Sequence, residues 1–334
     1  MTVVVHFLAP YMSLTPCPQT PITRTAAPQM HLCFQGLGPS LPMTLTSGWP
    51  ITRVLLTIVV CTLAISGSSS IALAQTQTNI ATTKPTDRKA ITLRPVVNNA
   101  FGRGEKISYR VHYGWFTAGQ AVMQVSDDTY NINNRRCYRI EVTGVSSGLV
   151  KQITTIRDVW GAFVDTAAIM PHKFYRNIKE NNYSKNEEIA FDYPAGKAIV
   201  TSSSPPVGEV TLQPNTLDMI TGYYYLRLLD YNNLAPETMI TMTGIYENQT
   251  YVFRIRYKGK ERIKTPLGYI NCIKLQPLMP ENGVFAGENS VKFYISDDEN
   301  RIPLKIRAEL FVGAVELDIE SYQNVKHPLT FGKR

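Results

Sequence analysis

VKFYISDDENRIPLKIRAELFVGAVELDIESY, residues Val291 to Tyr322, is the stretch whose reading decides the fold. Val291, Phe293 and Ile295 alternate with polar neighbours. So do Ile302, Leu304, Ile306, Ala308 and Leu310, and then Val315, Leu317 and Ile319. A period of two is that of strands with one buried and one wet face. Asp297-Asp298-Glu299-Asn300 supplies the first turn and Val312-Gly313 the second. Turning at Val312-Gly313 sets Arg307 opposite Asp318 and Lys305 opposite Glu320, and leaves Glu309 facing Glu316 as a misfit. Pro303 cannot donate to a ladder and marks a strand start or an edge.

Upstream, the same meander repeats. Ile107, Tyr109, Val111 and Tyr113 alternate, and Gly114 to Gly119 turns the chain into Ala121, Met123 and Val125. Further strands are expected at Cys137–Val145, Ile153–Trp160, His172–Ile178, Glu187–Tyr193 and Ala198–Thr201. Others follow at Met239–Thr243, Thr250–Tyr257 and Tyr269–Leu275. Turns are placed at Asp127-Asp128 through Asn133-Asn134, at Lys258-Gly259 and at Pro266 to Gly268. The spacing predicts a mainly β fold: antiparallel meanders forming a curved sheet, sandwich or half-barrel of roughly fourteen strands. One segment departs from it. Leu217, Ile220, Tyr224 and Leu228 recur at helical spacing, predicting one central helix over 215–231. Thr216 is its expected cap, with Asp218 in the first turn and Arg227 in the last.

Asp165 stands six residues before Pro171, and Asp297 six before Pro303, so the two β halves are compatible with an old duplication. Cys137 and Cys272 are the cysteines of the folded part. They could pair as a disulfide in an oxidising compartment or stay as buried thiols.

The front of the chain reads as an export signal. The first 74 residues hold no Asp or Glu. Arg53 precedes the apolar run Val54 to Ile65, a Ser-rich stretch follows, and Ala72-Leu73-Ala74 forms a small-x-small cleavage site before Gln75. The apolar run is short for a membrane span, although an uncleaved anchor over 54–73 is the competing reading. Met43 opens a normal n-region, so residues 1–42 read as an over-extended start and 43–74 as the signal. Residues 75–103 read as a flexible linker, 104–325 as the β domain and 326–334 as a tail. The expected location is the bacterial periplasm or cell envelope.

The composition is that of a folded protein: 44% hydrophobic and 18% charged, with a net charge of +8 spread along strands. No zinc-finger spacing, basic helix or RNA-binding motif appears, so nucleic acid is not an expected partner. Phosphate-loop, dinucleotide and Gly-x-Ser-x-Gly signatures are also absent. His112, His172 and His327 have no partner at metal or triad spacing along the chain. Asp297 to Asn300 reads as a turn and not as a calcium loop. No catalytic residue, metal site or cofactor is therefore assigned.

Aromatic residues carry the remaining signal. Tyr113, Trp115 and Phe116 flank a hairpin, and Tyr223 and Tyr224 lie on the helix with Tyr225. Helical geometry turns consecutive residues by about 100°, so the three tyrosines cannot all face one core. Tyr113, Trp115, Phe116, Tyr223 and Tyr224 are accordingly the candidates to line an apolar ligand site.

In order along the chain, GEKISYRVHYGWFTAGQA, LDMITGYYYLRLLD, GKERIKTPLGYINCIKLQP and FYISDDENRIPLKI resemble the motifs of an exported bacterial family. That family is catalogued as domain of unknown function 3108. The likeness covers about Gly104 to Asn324, with Thr221-Gly222 where the family carries a small-residue pair. Asp297 to Pro303 and Gly313 also resemble lipoprotein-carrier-like half-barrels, in which a curved sheet wraps a helix over an apolar cavity. These resemblances imply an envelope β protein, with a non-catalytic binding or carrier module for lipid or acylated peptide as the leading expectation. An envelope scaffold that meets a protein partner is the alternative, and a hydrolytic enzyme comes last.

Overall fold

The computed structural model describes residues 88–246, 248–279 and 287–332. The proposed signal and its Ala74–Gln75 junction lie outside them. Fourteen antiparallel strands form one unclosed sheet. The first eight are β1 (Lys106–Tyr113), β2 (Phe116–Ile132), β3 (Arg135–Ser146), β4 (Arg157–Asp165), β5 (Pro171–Glu180), β6 (Tyr183–Asp192), β7 (Lys197–Ser202) and β8 (Gly208–Thr211). The remaining six are β9 (Met239–Tyr246), β10 (Gln249–Thr265), β11 (Gly268–Pro277), β12 (Val291–Ser296), β13 (Pro303–Glu309) and β14 (Ala314–Gln323). Each strand lies beside its neighbour in sequence, except that β8 and β9 form the two edges, and β1 pairs with β14 to join the two meanders. Helix α2 (Met219–Leu226) belongs to the connection between those edges and packs on β3, β4 and β9. A shorter helix, α1 (Gly148–Ile153), occupies part of the β3–β4 link, where the sequence predicts a break and an early strand start. Among the described residues no helix is long and apolar enough to cross a membrane.

The alternation does what its period predicts. On β13 and β14, Leu304, Ile306, Ala308, Val315, Leu317 and Ile319 are all buried, while Lys305, Arg307, Glu316 and Asp318 face outward. The register differs by two residues from the one that Val312-Gly313 as turn centre would impose. Lys305 pairs with Asp318, Arg307 with Glu316 and Glu309 with Ala314, and Leu310 N–H donates to Gly313 O across a Phe311-Val312 tip. A two-residue slip keeps every side chain on its face. It also removes the like-charge misfit, because Glu316 now meets Arg307 and Lys305, and Glu309 meets Lys292.

Two predicted turns are strand interiors. Asp127-Asp128 falls at a register irregularity inside β2, and the chain reverses at Asn133-Asn134, both at positive φ, which asparagine tolerates. Lys258-Gly259 is a bulge within β10, with Gly259 at φ 97°. The helix is shorter than 215–231. Asp218, not Thr216, is its N-cap and accepts from Thr221 N–H. Thr216 instead closes a turn with the Gln213 carbonyl and N–H. Past Leu226 the chain tightens into i–3 bonds, and Arg227 leaves the helical pattern for a buried site.

The described part of the predicted linker is docked. Ile91 N–H donates to Tyr193 O and Val96 N–H to Ala167 O, and Phe101 is buried in the core. The tail is docked too: Lys326 reaches Asn98 O, His327 N–H meets the Asn300 side chain, and Leu329 is buried. Cys137 on β3 and Cys272 on β11 are free and buried, with five strands between theirs in the sheet, and they form no disulfide. Burial pushes each thiol up to about 12.

The two corners that suggested a duplication are built alike, but Asp298, five residues before Pro303, takes the part of Asp165, while Asp297 pairs with Lys260. Asp165 Oδ1 accepts from Ala167 and Ala168 N–H, and Asp298 Oδ1 accepts from Asn300 and Arg301 N–H. Both turns contain a residue at positive φ, Ile169 and Arg301, two positions before the proline. A buried tyrosine donates to each proline carbonyl, Tyr193 to Pro171 and Tyr109 to Pro303.

Candidate binding surface

Beneath α2 the sheet's inner face is filled by side chains. Tyr224 meets Phe101 edge to face with centroids 4.7 Å apart, and Tyr223 meets Phe293 at 5.7 Å. Arg227 is buried between the Phe101 and Tyr224 rings. Its Nη1 and Nη2 donate to the two Glu105 carboxylate oxygens at 2.6 and 2.8 Å, Nη2 also to Ala100 O, and Nε to Asn300 O. This bidentate pair ties the helix to the start of β1 and to the Asp298 corner. Arg301 closes the arrangement by donating to Arg227 O. Tyr224 is thus fully buried against its ring partner, and Tyr223 is partly buried against Phe293.

A second buried arginine lies toward the other ends of the strands. Arg176 on β5 pairs with Glu187 on β6 at 2.8 Å, donates to the Tyr246 hydroxyl at the end of β9, and packs over Trp160. Nearby, Asp158 is buried near the start of β4. Its Oδ1 accepts from Lys179 N–H, and its Oδ2 has no partner. Burial, with Glu180 close by, pushes this carboxyl up to about 7.

Beyond these groups the strand connections expose apolar side chains. The β1–β2 hairpin presents Trp115, 93% exposed, and the β13–β14 hairpin presents Phe311 and Val312, 69% and 60% exposed. The hairpins touch: Gly114 N–H donates to Ala314 O, and Tyr113 Oη donates to Val312 O. On the other side, Ser147 N–H donates to Ala118 O and brings α1 alongside. None of the residues of α1 is buried, although Leu149 and Ile153, one turn apart, form an apolar stripe. Asn181 bonds Thr154 and Thr155, placing the β5–β6 hairpin and its exposed Tyr183 next in line. Four adjoining connections therefore form a rim carrying Trp115, Phe311, Val312, Leu149, Ile153 and Tyr183. Lys151 and Arg157 are exposed beside it.

Of the five residues predicted to line a ligand site, three fall on this rim. Trp115, Phe116 and Tyr113 touch in sequence, with centroid distances of 5.7 and 5.6 Å. Tyr223 and Tyr224 lie under the helix with different ring partners, so the structure does not gather the five into one lining. Phe311, Val312, Leu149 and Ile153 are not among the site candidates of the sequence, which placed Val312 in a turn and Ile153 at a strand start. Their signal was an apolar pair at a turn centre and an apolar i, i+4 pair in a link between strands.

The outer face of β13, β14 and β1 carries the clearest electrostatic pattern. Acidic β14 runs between two basic strands: Lys305 and Arg307 on one side, Arg110 and His112 on the other. Lys305 Nζ lies 2.7 Å from Glu316 and 3.2 Å from Asp318, and Arg307 also bonds Glu316. Burial alone would raise the Glu316 carboxyl, but these cations more than offset it and hold it below its ordinary value. His112 Nε2 lies 2.6 Å from Asp318 Oδ2, a pairing between residues 206 apart that spacing along the chain cannot show. A cleft of about 270 Å³ opens beside it, lined by Arg110, His112, Trp115, Thr117, Pro266 and Asp318.

The chain belongs to the family described as "Protein of unknown function (DUF3108)", whose model matches residues 108–320. No curated protein matches it. Among solved structures it is similar to a β-barrel-like protein of domain of unknown function DUF1849 from Brucella abortus. The two are 10% identical with a TM-score of 0.46, over 69% of this chain and 99% of that one. It is also similar to a Bacteroides fragilis protein with a YmcC-like fold, 10% identical, TM-score 0.31, over 70% of this chain and all of that one. Likeness this distant identifies no function.

Proposed function

We propose that this protein is an exported, non-catalytic β module of the cell envelope that binds lipid through its apolar rim. The observation that carries the proposal is the clustering of Trp115, Phe311, Val312, Leu149, Ile153 and Tyr183 on four connections that touch one another. Scattered apolar side chains are ordinary on a protein surface, but a contiguous group at loop tips marks a contact site. Tryptophan, phenylalanine and tyrosine at such tips suit the boundary between headgroups and acyl chains. Lys151 and Arg157 favour an anionic surface. The export signal would deliver the chain to a compartment bounded by membranes.

A carrier that encloses its ligand beneath the helix is disfavoured by the Tyr224–Phe101 and Arg227–Glu105 packing there, so the rim is the preferred lipid contact. Co-sedimentation with vesicles of phosphatidylglycerol and phosphatidylethanolamine tests the proposal. Binding that weakens in Trp115→Ala and Phe311→Ser variants, each still folded, is expected. Equal recovery of protein in the supernatant with and without vesicles would overturn it.

A further inference from the structure

We infer that His112, Glu316 and Asp318 form a binding site for a divalent transition-metal cation of the zinc type. The three come from adjacent strands: His112 stands directly opposite Glu316 in the β1–β14 ladder, and Asp318 is the diagonal neighbour on the same face. One ligand atom from each lies within 4.8 Å of the others. His112 Nε2 is 2.6 Å from Asp318 Oδ2 and 4.0 Å from Glu316 Oε2. Tetrahedral zinc with bonds near 2.0–2.1 Å places its ligand atoms about 3.3 Å apart. The first distance must open and the second close by less than an ångström, within reach of side-chain torsions.

The imidazole supplies a second, independent reason. Its Nδ1 lies 3.1 Å from Gly114 O, and a carbonyl can only accept, so Nδ1 carries a proton. Nε2 then either bears a second proton or aims its lone pair at a carboxylate oxygen 2.6 Å away. At 2.6 Å only a proton fits between the two atoms, so a metal would enter by replacing that proton as the pair opens to about 3.3 Å. A backbone carbonyl holding Nδ1–H and leaving Nε2 to the metal is the usual outer-shell arrangement of a ligating histidine. One imidazole with two carboxylates suits zinc, nickel or copper better than calcium, which takes oxygen donors. The cleft beside His112 leaves room for a water or a ligand group at the fourth position.

Every charged group facing the site bears on its strength. Lys305 contacts both carboxylates and Arg307 contacts Glu316, so a metal must displace Lys305 from Glu316 Oε2 and Asp318. Arg110, on the same face of β1, is engaged by Glu320 at 2.7 Å. Lys305 is thus the internal competitor, and removing it has the opposite effect from removing a ligand.

The test is calorimetric titration of the purified protein with Zn²⁺, repeated for His112→Ala, Asp318→Asn and Lys305→Gln. One site is expected. His112→Ala and Asp318→Asn should weaken it by at least roughly tenfold, and Lys305→Gln should tighten it by a few-fold. Cu²⁺ should quench Trp115 fluorescence in the wild type and not in His112→Ala. The absence of a site, or a site indifferent to His112 and Lys305, would overturn the inference. Zinc titration requires no lipid, so its failure is distinguishable from failure of vesicle binding.

Discussion

At one end of β1, Glu105 is fully buried against Arg227; just past the other end, Trp115 stands almost wholly in solvent. The end that begins β1 is sealed several times over. Residues 88–101 and the tail cross it, the Asp165 and Asp298 corners close it, and Arg227 bonds three separate segments there. Little at the rim is tied down comparably, and apolar side chains point outward from four connections. A sheet of this size has no need to expose Trp115 and Phe311 for its own stability. The contrast therefore separates a sealed end that serves folding from an open end to which the proposed function assigns lipid contact.

The largest effect should come from breaking the sealed end. Arg227→Met or Glu105→Gln leaves a buried charge without its partner and should cost about 3–5 kcal/mol in chemical denaturation. Vesicle affinity of the protein that remains folded should be unchanged. At the rim the pattern reverses. Trp115→Ala should lower vesicle affinity by about 2 kcal/mol, the scale of burying one large apolar side chain, and should shift stability by less than about 0.5 kcal/mol. A rim substitution that unfolded the protein would erase the distinction between the ends.

Asp158 sharpens the comparison, since it lies just inside the rim with one oxygen unpartnered. Its folded-state pKa of about 7 stands above the ordinary 3.8, so the folded state binds this proton more tightly than the unfolded chain does. Stability contributed by the protonated form is fully present below about pH 4. It declines as pH rises and is lost once pH passes about 7. Asp158→Asn should therefore stabilise the protein at pH 8 by about 1–2 kcal/mol relative to wild type. The gain should vanish near pH 4, as a pH series of thermal melts would reveal. The smallest effect belongs to the exposed Arg110–Glu320 pair, whose removal by Glu320→Gln should cost less than about 1 kcal/mol.

Much of this architecture was legible in the sequence because strand periodicity is local. Ile306, Ala308, Leu317 and Ile319 announce their face within a few residues, and the turn at Asp297 to Asn300 was legible, although its capping residue is Asp298 and not Asp297. Register was harder. Val312-Gly313 looked like the turn centre, and only the Glu309–Glu316 repulsion pointed to the two-residue slip that the structure shows. The pairs that matter most are distant in sequence. Glu105 and Arg227 are 122 residues apart, and His112 and Asp318 are 206 apart. Neither pairing has a local signature, because only the β1–β14 ladder and the packing of α2 create it. The rim was half visible: Trp115 was singled out, while Leu149 and Phe311 acquired meaning only when four connections came together.

The most direct test of the central claim is depth-dependent quenching of Trp115 by lipids brominated along the acyl chain, comparing wild type with Trp115→Phe to isolate its signal. Lipid insertion by the rim predicts that Trp115 emission shifts to the blue with vesicles, loses accessibility to iodide and is quenched by bromines near the headgroup end. Trp115 emission that stays red, iodide-accessible and unquenched at every vesicle composition would contradict it.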